Sequence, residues 1–301
     1  MRRKALITGG TGFVGKHLEK ELLKNKYEVY SVGREQMNLL NYENVHAIIR
    51  KIKPDYIFHL AGIAFVPTSW KDPEMTYKVN TLGTLHLLDA VRSVGIDPKI
   101  HLCGSSEEYG MVYEDELPIK ETNPLRPLSP YAVSKIGLDL LGYQYYKSYG
   151  LKIIRTRAFN HDGYGRGEEY MTSNFAKQIV QIEKGYKEPV IYHGELSSKR
   201  DISDARDIVI AYRLALEKCD VGEVYNIGSG VTHTVGEVLK MLIDLSHVRV
   251  ELKLDQNRMR PSDVKVLLCD SSKFIEKTGW KPKYTLKDVL SEELRFWREK
   301  L

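Results

Sequence analysis

The chain has 301 residues, enough for one or two domains with a large core. Hydrophobic residues make up 42% and charged residues 28%, which is ordinary for a globular protein and excludes a disordered or fibrous chain. The net charge of +5 is spread with acids and bases interleaved, and no basic run carries aromatics, so no nucleic-acid partner is expected. The apolar stretch near the start, Ala5 to Ile7, is too short for a signal core, and no run approaches a membrane span. Cys103, Cys219 and Cys269 are sparse and lack metal-ligand spacing; they read as the reduced thiols of a cytoplasmic protein with no metal site.

In chain order, Lys4 to Thr8 reads as a short apolar strand. It runs into Gly9-Gly10-Thr11-Gly12-Phe13-Val14-Gly15, and the helical spacing of Leu18, Leu22 and Leu23 follows. Strand, glycine turn and helix form the context in which backbone amides meet a pyrophosphate at a helix N-terminus. The next strand, 28–32, ends in Gly33-Arg34. An acidic residue there would hold the 2′-hydroxyl of NAD; glycine leaves space, and Arg34 offers a guanidinium to a 2′-phosphate, which favours NADP(H) with NAD(H) as the alternative. A third strand leads into Leu60-Ala61-Gly62. A helix is expected over about 72–93, containing Asn80, and then a strand over 99–104 followed by Ser105-Ser106-Glu107-Glu108-Tyr109-Gly110. Strands alternating with helices imply a doubly wound parallel α/β sheet, with ligands outside the C-terminal strand ends.

Ser129-Pro130-Tyr131-Ala132-Val133-Ser134-Lys135 opens the next helix, with Ser129 as N-cap and Pro130 in the first turn. Tyr131 and Lys135 lie four apart, on one face. An ammonium so placed is expected to favour phenolate and lower the tyrosine pKa from its usual value near 10, suiting proton transfer at a sugar or alcohol oxygen.

Together Thr8 to Gly15, His59 to Gly62, Asn80, Ser105 with Ser106, and Tyr131 with Lys135 resemble an extended short-chain dehydrogenase/reductase of the Rossmann type. The second half resembles its nucleotide-sugar branch: Arg200-Asp201 through Asp207-Ile208, Arg260-Pro261-Ser262-Asp263 and Gly279-Trp280-Lys281-Pro282. Phe159-Asn160-His161 and Arg126-Pro127-Leu128-Ser129-Pro130-Tyr131 are most similar to the GDP-mannose dehydratases and GDP-4-keto-6-deoxymannose reductases.

That resemblance implies roles for particular residues. Tyr131 is the general acid/base, Lys135 its partner and a ribose contact, and Ser105, with Ser106 as second candidate, bonds the reacting sugar oxygen. The cofactor is expected at Gly9, Thr11, Gly12, Phe13, Val14, Gly15, Arg34, Asn38, Leu60, Ala61, Gly62 and Asn80. Asn160, Asn174 and Lys177 approach the sugar and phosphates, Arg200 and Arg260 the diphosphate or ribose, and Asp263 a ribose hydroxyl. Asn38-Leu39-Leu40-Asn41 stands where the family usually has Asp-Leu-x-Asp near adenine. His161-Asp162-Gly163-Tyr164-Gly165 lacks the usual proline after the Asn-His pair.

The implied activity is reduction of the C4 ketone of GDP-4-keto-6-deoxy-D-mannose to GDP-D-rhamnose, in nucleotide-sugar and polysaccharide biosynthesis. A 4,6-dehydratase is the first alternative, since it needs a carboxylate base and Glu107 stands at that position. A reductase acting on a relative such as a GDP-heptose is the second. Glu108 in place of an apolar residue, a short segment from Arg34 to Tyr42 and the shorter chain favour the reductase. A nucleotide-binding domain is expected over 1–158 with a return over about 195–227. A smaller C-terminal α/β substrate lobe is expected over about 159–194 and 228–301. The family also implies a homodimer packed through the helices near 72–93 and 131–149.

Overall fold

The computed structural model describes residues 2–259 and 264–301. The first half runs β1 (Lys4–Thr8), α1 (Phe13–Lys24), β2 (Glu28–Val32), α2 (Tyr42–Ile52), β3 (Tyr56–His59), α3 (Val66–Lys71), α4 (Pro73–Tyr77), α5 (Gly83–Val94), β4 (Lys99–Ser105), α6 (Pro130–Tyr149) and β5 (Lys152–Ala158). The second half runs β6 (Asn160–Asp162), α7 (Met171–Glu183), β7 (Val190–His193), β8 (Lys199–Asp204), α8 (Ala205–Lys218), β9 (Val224–Ile227), β10 (Thr232–Thr234), α9 (Val235–Ser246), β11 (Glu251–Leu254), β12 (Val266–Leu267), α10 (Ser272–Thr278) and α11 (Leu286–Lys300).

Six parallel strands form the main sheet in the order β2-β1-β3-β4-β5-β9. Alternate residues of each strand supply the two faces. Leu6, Ile57, Ile100 and Ile153 pack with Val45 and Ile49 of α2, Leu87 and Val91 of α5, and Leu138 of α6. Ala5, Ile7, Phe58 and Ile154 pack on the other side with Leu18 and Leu22 of α1 and with Tyr212 and Ala215 of α8. All of these are buried, and each large aliphatic side chain among them contributes about 1.5–3 kcal/mol by leaving water.

Caps fix the helix ends that aim the site. Ser129 accepts the Ala132 N–H at 3.1 Å, Pro130 occupies the first turn of α6, and Gly150 ends it at φ +71°. The stretch expected as one helix over 72–93 is α4 and α5 joined by a π-helical turn, Lys78–Leu82, which carries Asn80.

The smaller lobe holds a sheet in which β8 pairs with β6 and β12 in parallel and with β10 antiparallel, beside a parallel pair of β7 and β11. Its core joins Phe175 and Ile179 of α7, Val238 and Leu242 of α9, and Leu290, Leu294 and Trp297 of α11. The sequence puts the return to the main sheet at about residue 195, but β8 is committed to the small sheet; β9 rejoins the large one, with α8 and Phe274 of α10 packed in its core. No helix among the described residues is long and apolar enough to cross a membrane.

Candidate active site

The glycine turn after β1 is built for close backbone approach. Gly9 sits at φ +72°, and a Cβ there would lie 2.8 Å from the Ala61 nitrogen. A Cβ on Gly15 would lie 2.4 Å from the Gly9 carbonyl, so only glycine lets α1 sit against the turn. Gly12 is the N-cap of α1, with no side-chain cap and no acid in the first turn, and Thr11 and Gly12 are exposed. Uncapped amides at a positive helix end fit a pyrophosphate, so these residues fit a dinucleotide. Phe13 and Val14 are half-buried beside them.

At the end of β2, Arg34 is exposed and makes no ion pair among the described residues. A Cβ on Gly33 would meet Thr11 Oγ1 at 2.7 Å, so glycine draws the two loops together. Asn38 serves its own turn, its Oδ1 accepting the Leu40 N–H at 3.1 Å, while Asn41 caps α2 by accepting the Asn44 N–H at 3.0 Å.

A buried polar chain ties this turn to the π-helical segment. The Thr8 hydroxyl bonds His59 Nδ1 at 2.8 Å, His59 Nε2 bonds the Thr84 hydroxyl at 3.0 Å, and Thr84 donates to the Asn80 carbonyl at 2.6 Å. Burial depresses His59 to about 3, so the ring is neutral. The Asn80 side chain accepts from the Ile63 N–H at 2.8 Å and donates to the Ile63 carbonyl at 3.0 Å and to the Ser134 hydroxyl at 2.9 Å. Asn80 thus clamps the loop after Leu60-Ala61-Gly62 to α6. A Cβ on Gly62 would stand 2.8 Å from Asn80 Oδ1 and 3.9 Å from Lys135 Nζ.

Ser105 closes β4, and Tyr131 and Lys135 lie on α6; all three are buried. Ser105 Oγ accepts the Glu107 N–H at 3.2 Å, and Ser106 is buried behind it. Glu107 is half-buried and lies within electrostatic reach of Tyr131. The expected lowering of the phenol pKa does not occur. Lys135 donates to the Cys103 carbonyl at 2.7 Å and stands 6.0 Å from the Tyr131 ring centroid. Burial dominates and holds the phenol above the ordinary tyrosine range, with the Ser105 side chain pulling the other way. The arrangement presents a proton-bearing phenol and a hydroxyl at the C-terminal edge of the sheet.

The smaller-lobe residues are placed as follows. Asn160 is exposed at the start of β6. Asn174 and Lys177 share α7 and both engage Glu168: Asn174 donates to its carbonyl at 3.0 Å, and Lys177 forms an ion pair with its carboxylate. Arg200 is buried, donating to the Lys199 and Val264 carbonyls at 3.0 and 2.7 Å. It anchors the chain just after 260–263; Arg260 and Asp263 lie outside the described residues. The loop after Asn160-His161 turns through Gly163 and Gly165 at φ +139° and +92°.

Asp201 of β8 and Asp207 of α8 fasten backbone segments of the second half. Asp201 accepts from the Ser229 and Gly230 amides, each at 2.8 Å, and Asp207 Oδ2 accepts from the Lys283 and Tyr284 amides at 2.7 and 2.9 Å. The Trp280 indole donates to the Asp207 carbonyl at 3.1 Å, which is the work of the Gly-Trp-x-Pro segment.

Sequence reasoning missed three features. Arg258 donates to Asn174 Oδ1 at 2.8 Å. Tyr170 is packed edge-on to Phe65 with centroids 5.5 Å apart, and Arg166 lies 3.4 Å above its ring and 4.9 Å from that of Phe13, bridging the lobes. Glu108, Asp139 and Arg157 form a buried ionic cluster beneath Ser105. Only the last had a signal: arginines alternating along the apolar strand 152–158 require buried acidic partners.

The family model for GDP-mannose 4,6 dehydratase matches residues 35–293. The chain is 32% identical over 303 residues to the GDP-6-deoxy-D-mannose reductase of Pseudomonas aeruginosa, covering 100% of this chain and 99% of that one. It is 30% identical to the GDP-mannose 4,6-dehydratase of Vibrio cholerae, covering 97% and 93% of the two chains. The solved structure of RMD from Pseudomonas aeruginosa complexed with NADPH superposes with a TM-score of 0.92 at 31% identity, covering 99% of this chain and 100% of that one. The glycine turn, the Ser105, Tyr131 and Lys135 grouping and this full-length likeness converge: the chain belongs to the GDP-mannose 4,6 dehydratase family, among the extended short-chain dehydrogenases/reductases.

Proposed function

We propose that the protein reduces the C4 ketone of a GDP-4-keto-6-deoxyhexose, converting GDP-4-keto-6-deoxy-D-mannose to GDP-D-rhamnose, with NADP(H) preferred over NAD(H). The observation that carries this reading is the buried, proton-bearing phenol of Tyr131 beside Ser105, since ketone reduction needs a proton donor at the sugar oxygen. The full-length match to a GDP-6-deoxy-D-mannose reductase and the NADPH in the superposed structure support it.

The nicotinamide cofactor, when bound, supplies the hydride. Ser105 would orient the ketone oxygen, Tyr131 would give it the proton, and Lys135 would hold a ribose hydroxyl and keep α6 against β4. Asn160, Asn174, Lys177, Arg200, Arg260 and Asp263 would line the GDP-sugar side, and Arg34 would meet the 2′-phosphate. A second reading, 4,6-dehydration of GDP-mannose, rests on Glu107, a carboxylate near Tyr131 suited to act as base.

We place the nucleotide-binding unit at about 1–158 with 205–227 and the α10 segment 272–280, and the sugar-nucleotide lobe on α7, β6–β8, β10, α9, β11, β12 and α11. The exposed positions Val133, Leu140 and Tyr143 share one face of α6, beside exposed Tyr77 and Leu82 on the neighbouring helical stretch. This apolar face supports a homodimer through these helices. Tyr145 is buried and donates to Asp89 at 3.0 Å, so it packs within the subunit. Three free cysteines support a cytoplasmic setting.

The test supplies GDP-mannose alone to one sample and GDP-4-keto-6-deoxymannose with NADPH or NADH to another, following nicotinamide absorbance and product mass. Oxidation of NADPH with gain of two hydrogens supports the reductase. Loss of water from GDP-mannose without net cofactor change replaces it with the dehydratase.

A further inference from the structure

Beneath Ser105 lies an ionic cluster that the proposed chemistry leaves unused. Glu108 is fully buried on the single helical turn Ser106–Glu108 that follows β4. Its Oε1 accepts the Ser105 N–H at 2.7 Å and fills the space where a Cβ on Gly104 would stand. Its Oε2 accepts from Arg157 Nε at 3.1 Å, and Asp139 Oδ2 accepts from that same Nε at 2.9 Å. Arg157 also donates to the Tyr109 hydroxyl at 3.1 Å, which donates to Asn226 Oδ1 at 2.6 Å. Arg155 pairs with the other oxygen of Asp139.

Placement gives the cluster its reach. Asp139 is one helical turn beyond Lys135 and two beyond Tyr131 on α6; Arg157 is on β5; Glu108 grips the last residue of β4. One guanidinium therefore ties the strand end that carries Ser105 to the helix that carries Tyr131 and Lys135.

We propose that Glu108 is a positioning residue: by holding the Ser105 amide and, through Arg157, the Asp139 turn of α6, it fixes the Ser105 hydroxyl and the Tyr131 phenol on the same sugar oxygen. This rests on the assignment of Ser105 and Tyr131 above. A displacement of about 1 Å at such a site costs about 10²-fold in rate.

The proton inventory agrees with the geometry. The groups facing Glu108 are Asp139 from α6, Arg157 from β5 and Cys103 from β4. Burial first, and then the Asp139 carboxylate, push Glu108 well above the ordinary glutamate range, which favours a proton held between the two acids that share one Arg157 N–H. Loss of that proton would set a second negative charge beside Asp139.

The experiment compares wild type, Glu108→Gln, Glu108→Leu and Ser105→Ala in steady-state ketone reduction across pH, with NADPH binding followed by fluorescence. Glutamine keeps an acceptor for the Ser105 amide but turns an NH2 toward the Arg157 Nε–H, so it breaks the tie through Arg157 alone; leucine removes both holds. Glu108→Leu is expected to lose about 10²-fold in kcat with KM and NADPH affinity little changed. Glu108→Gln is expected to lose kcat by less than Glu108→Leu, with KM and NADPH affinity little changed. Wild-type kcat in Glu108→Leu overturns the proposal. So does wild-type kcat in Glu108→Gln, which decides the matter if the leucine variant fails to fold. If Ser105→Ala alone keeps full rate, the assignment of Ser105 falls and the positioning role with it. If Ser105→Ala is impaired and Glu108→Leu is not, only the positioning role falls.

Discussion

The Lys135 ammonium donates to the Cys103 carbonyl at 2.7 Å, so the helix carrying Tyr131 is pinned to the strand carrying Ser105 by a charge-assisted hydrogen bond. The lysine is a brace before it is an electrostatic partner of the phenol. Tyr131 is then free to be set by burial, which keeps its proton on.

A proton donor so placed makes the first prediction. Tyr131→Phe removes only the hydroxyl, so kcat for ketone reduction should fall roughly 10²–10⁴-fold while NADPH affinity stays near wild type. Steady-state rates with fluorescence titration of NADPH check it; a rate near wild type removes Tyr131 from the chemistry.

The proposed preference for NADP(H) rests on Arg34. Arg34→Ala should weaken NADPH binding by roughly 1.5–3 kcal/mol, the range for a hydrogen bond to a charged group, and leave NADH almost unchanged. Titration of both cofactors reads this difference, and an equal loss for the two would show that the guanidinium does not meet the 2′-phosphate.

Gly15 tests the cradle. A methyl there meets the Gly9 carbonyl at 2.4 Å, so Gly15→Ala must push α1 off the turn. Overpacking of this kind costs about 1–3 kcal/mol of stability and should also cut cofactor affinity. Denaturant melts of the protein without cofactor separate the first effect from the second.

His59 sets an acid limit. Its folded pKa, near 3, is below the unfolded value of 6.5, so its contribution is present above pH 6.5 and is lost as pH falls through about 3. The stability of wild type relative to His59→Gln should therefore shrink across that window. Paired denaturant melts from neutral to acid pH show it, and a constant difference would mean that the ring is not buried neutral.

Leu140 is half exposed on α6 among Val133 and Tyr143. Leu140→Glu should convert a dimer to a monomer in analytical ultracentrifugation while leaving the melting curve of the subunit intact. A dimer that survives this substitution packs through another face.

Much of this architecture is legible in the chain. Leucines at helical spacing, glycines after an apolar strand and the Ser129-Pro130 start each act locally, so α1, α6 and the strands they follow fall where periodicity and caps put them, whereas the helix expected over 72–93 is interrupted by the π-helical turn Lys78–Leu82. The smaller lobe is less legible because its logic is non-local. β8, Lys-Arg-Asp-Ile-Ser-Asp, carries one apolar residue, and only its pairing with β6, β10 and β12 shows it as a strand of the small sheet. The site shows the same division. Tyr131 and Lys135 are visible as a helical pair, but the partner of Lys135 is a backbone carbonyl 32 residues away, and backbone carbonyls leave no mark in a sequence. Glu108 and Arg157 are visible as charges, and only the packing of β4, β5 and α6 shows that they hold Ser105.

Ketone reduction with Tyr131 as proton donor can be followed atom by atom. GDP-4-keto-6-deoxymannose is supplied with NADPH deuterated at the transferable position of the nicotinamide, and the place of the label in the product is determined. Wild type should form a reduced sugar nucleotide carrying one deuterium at C4, and Tyr131→Phe should form it roughly 10²–10⁴-fold more slowly. Recovery of unlabelled, unreduced ketone from wild type that binds NADPH normally would contradict this.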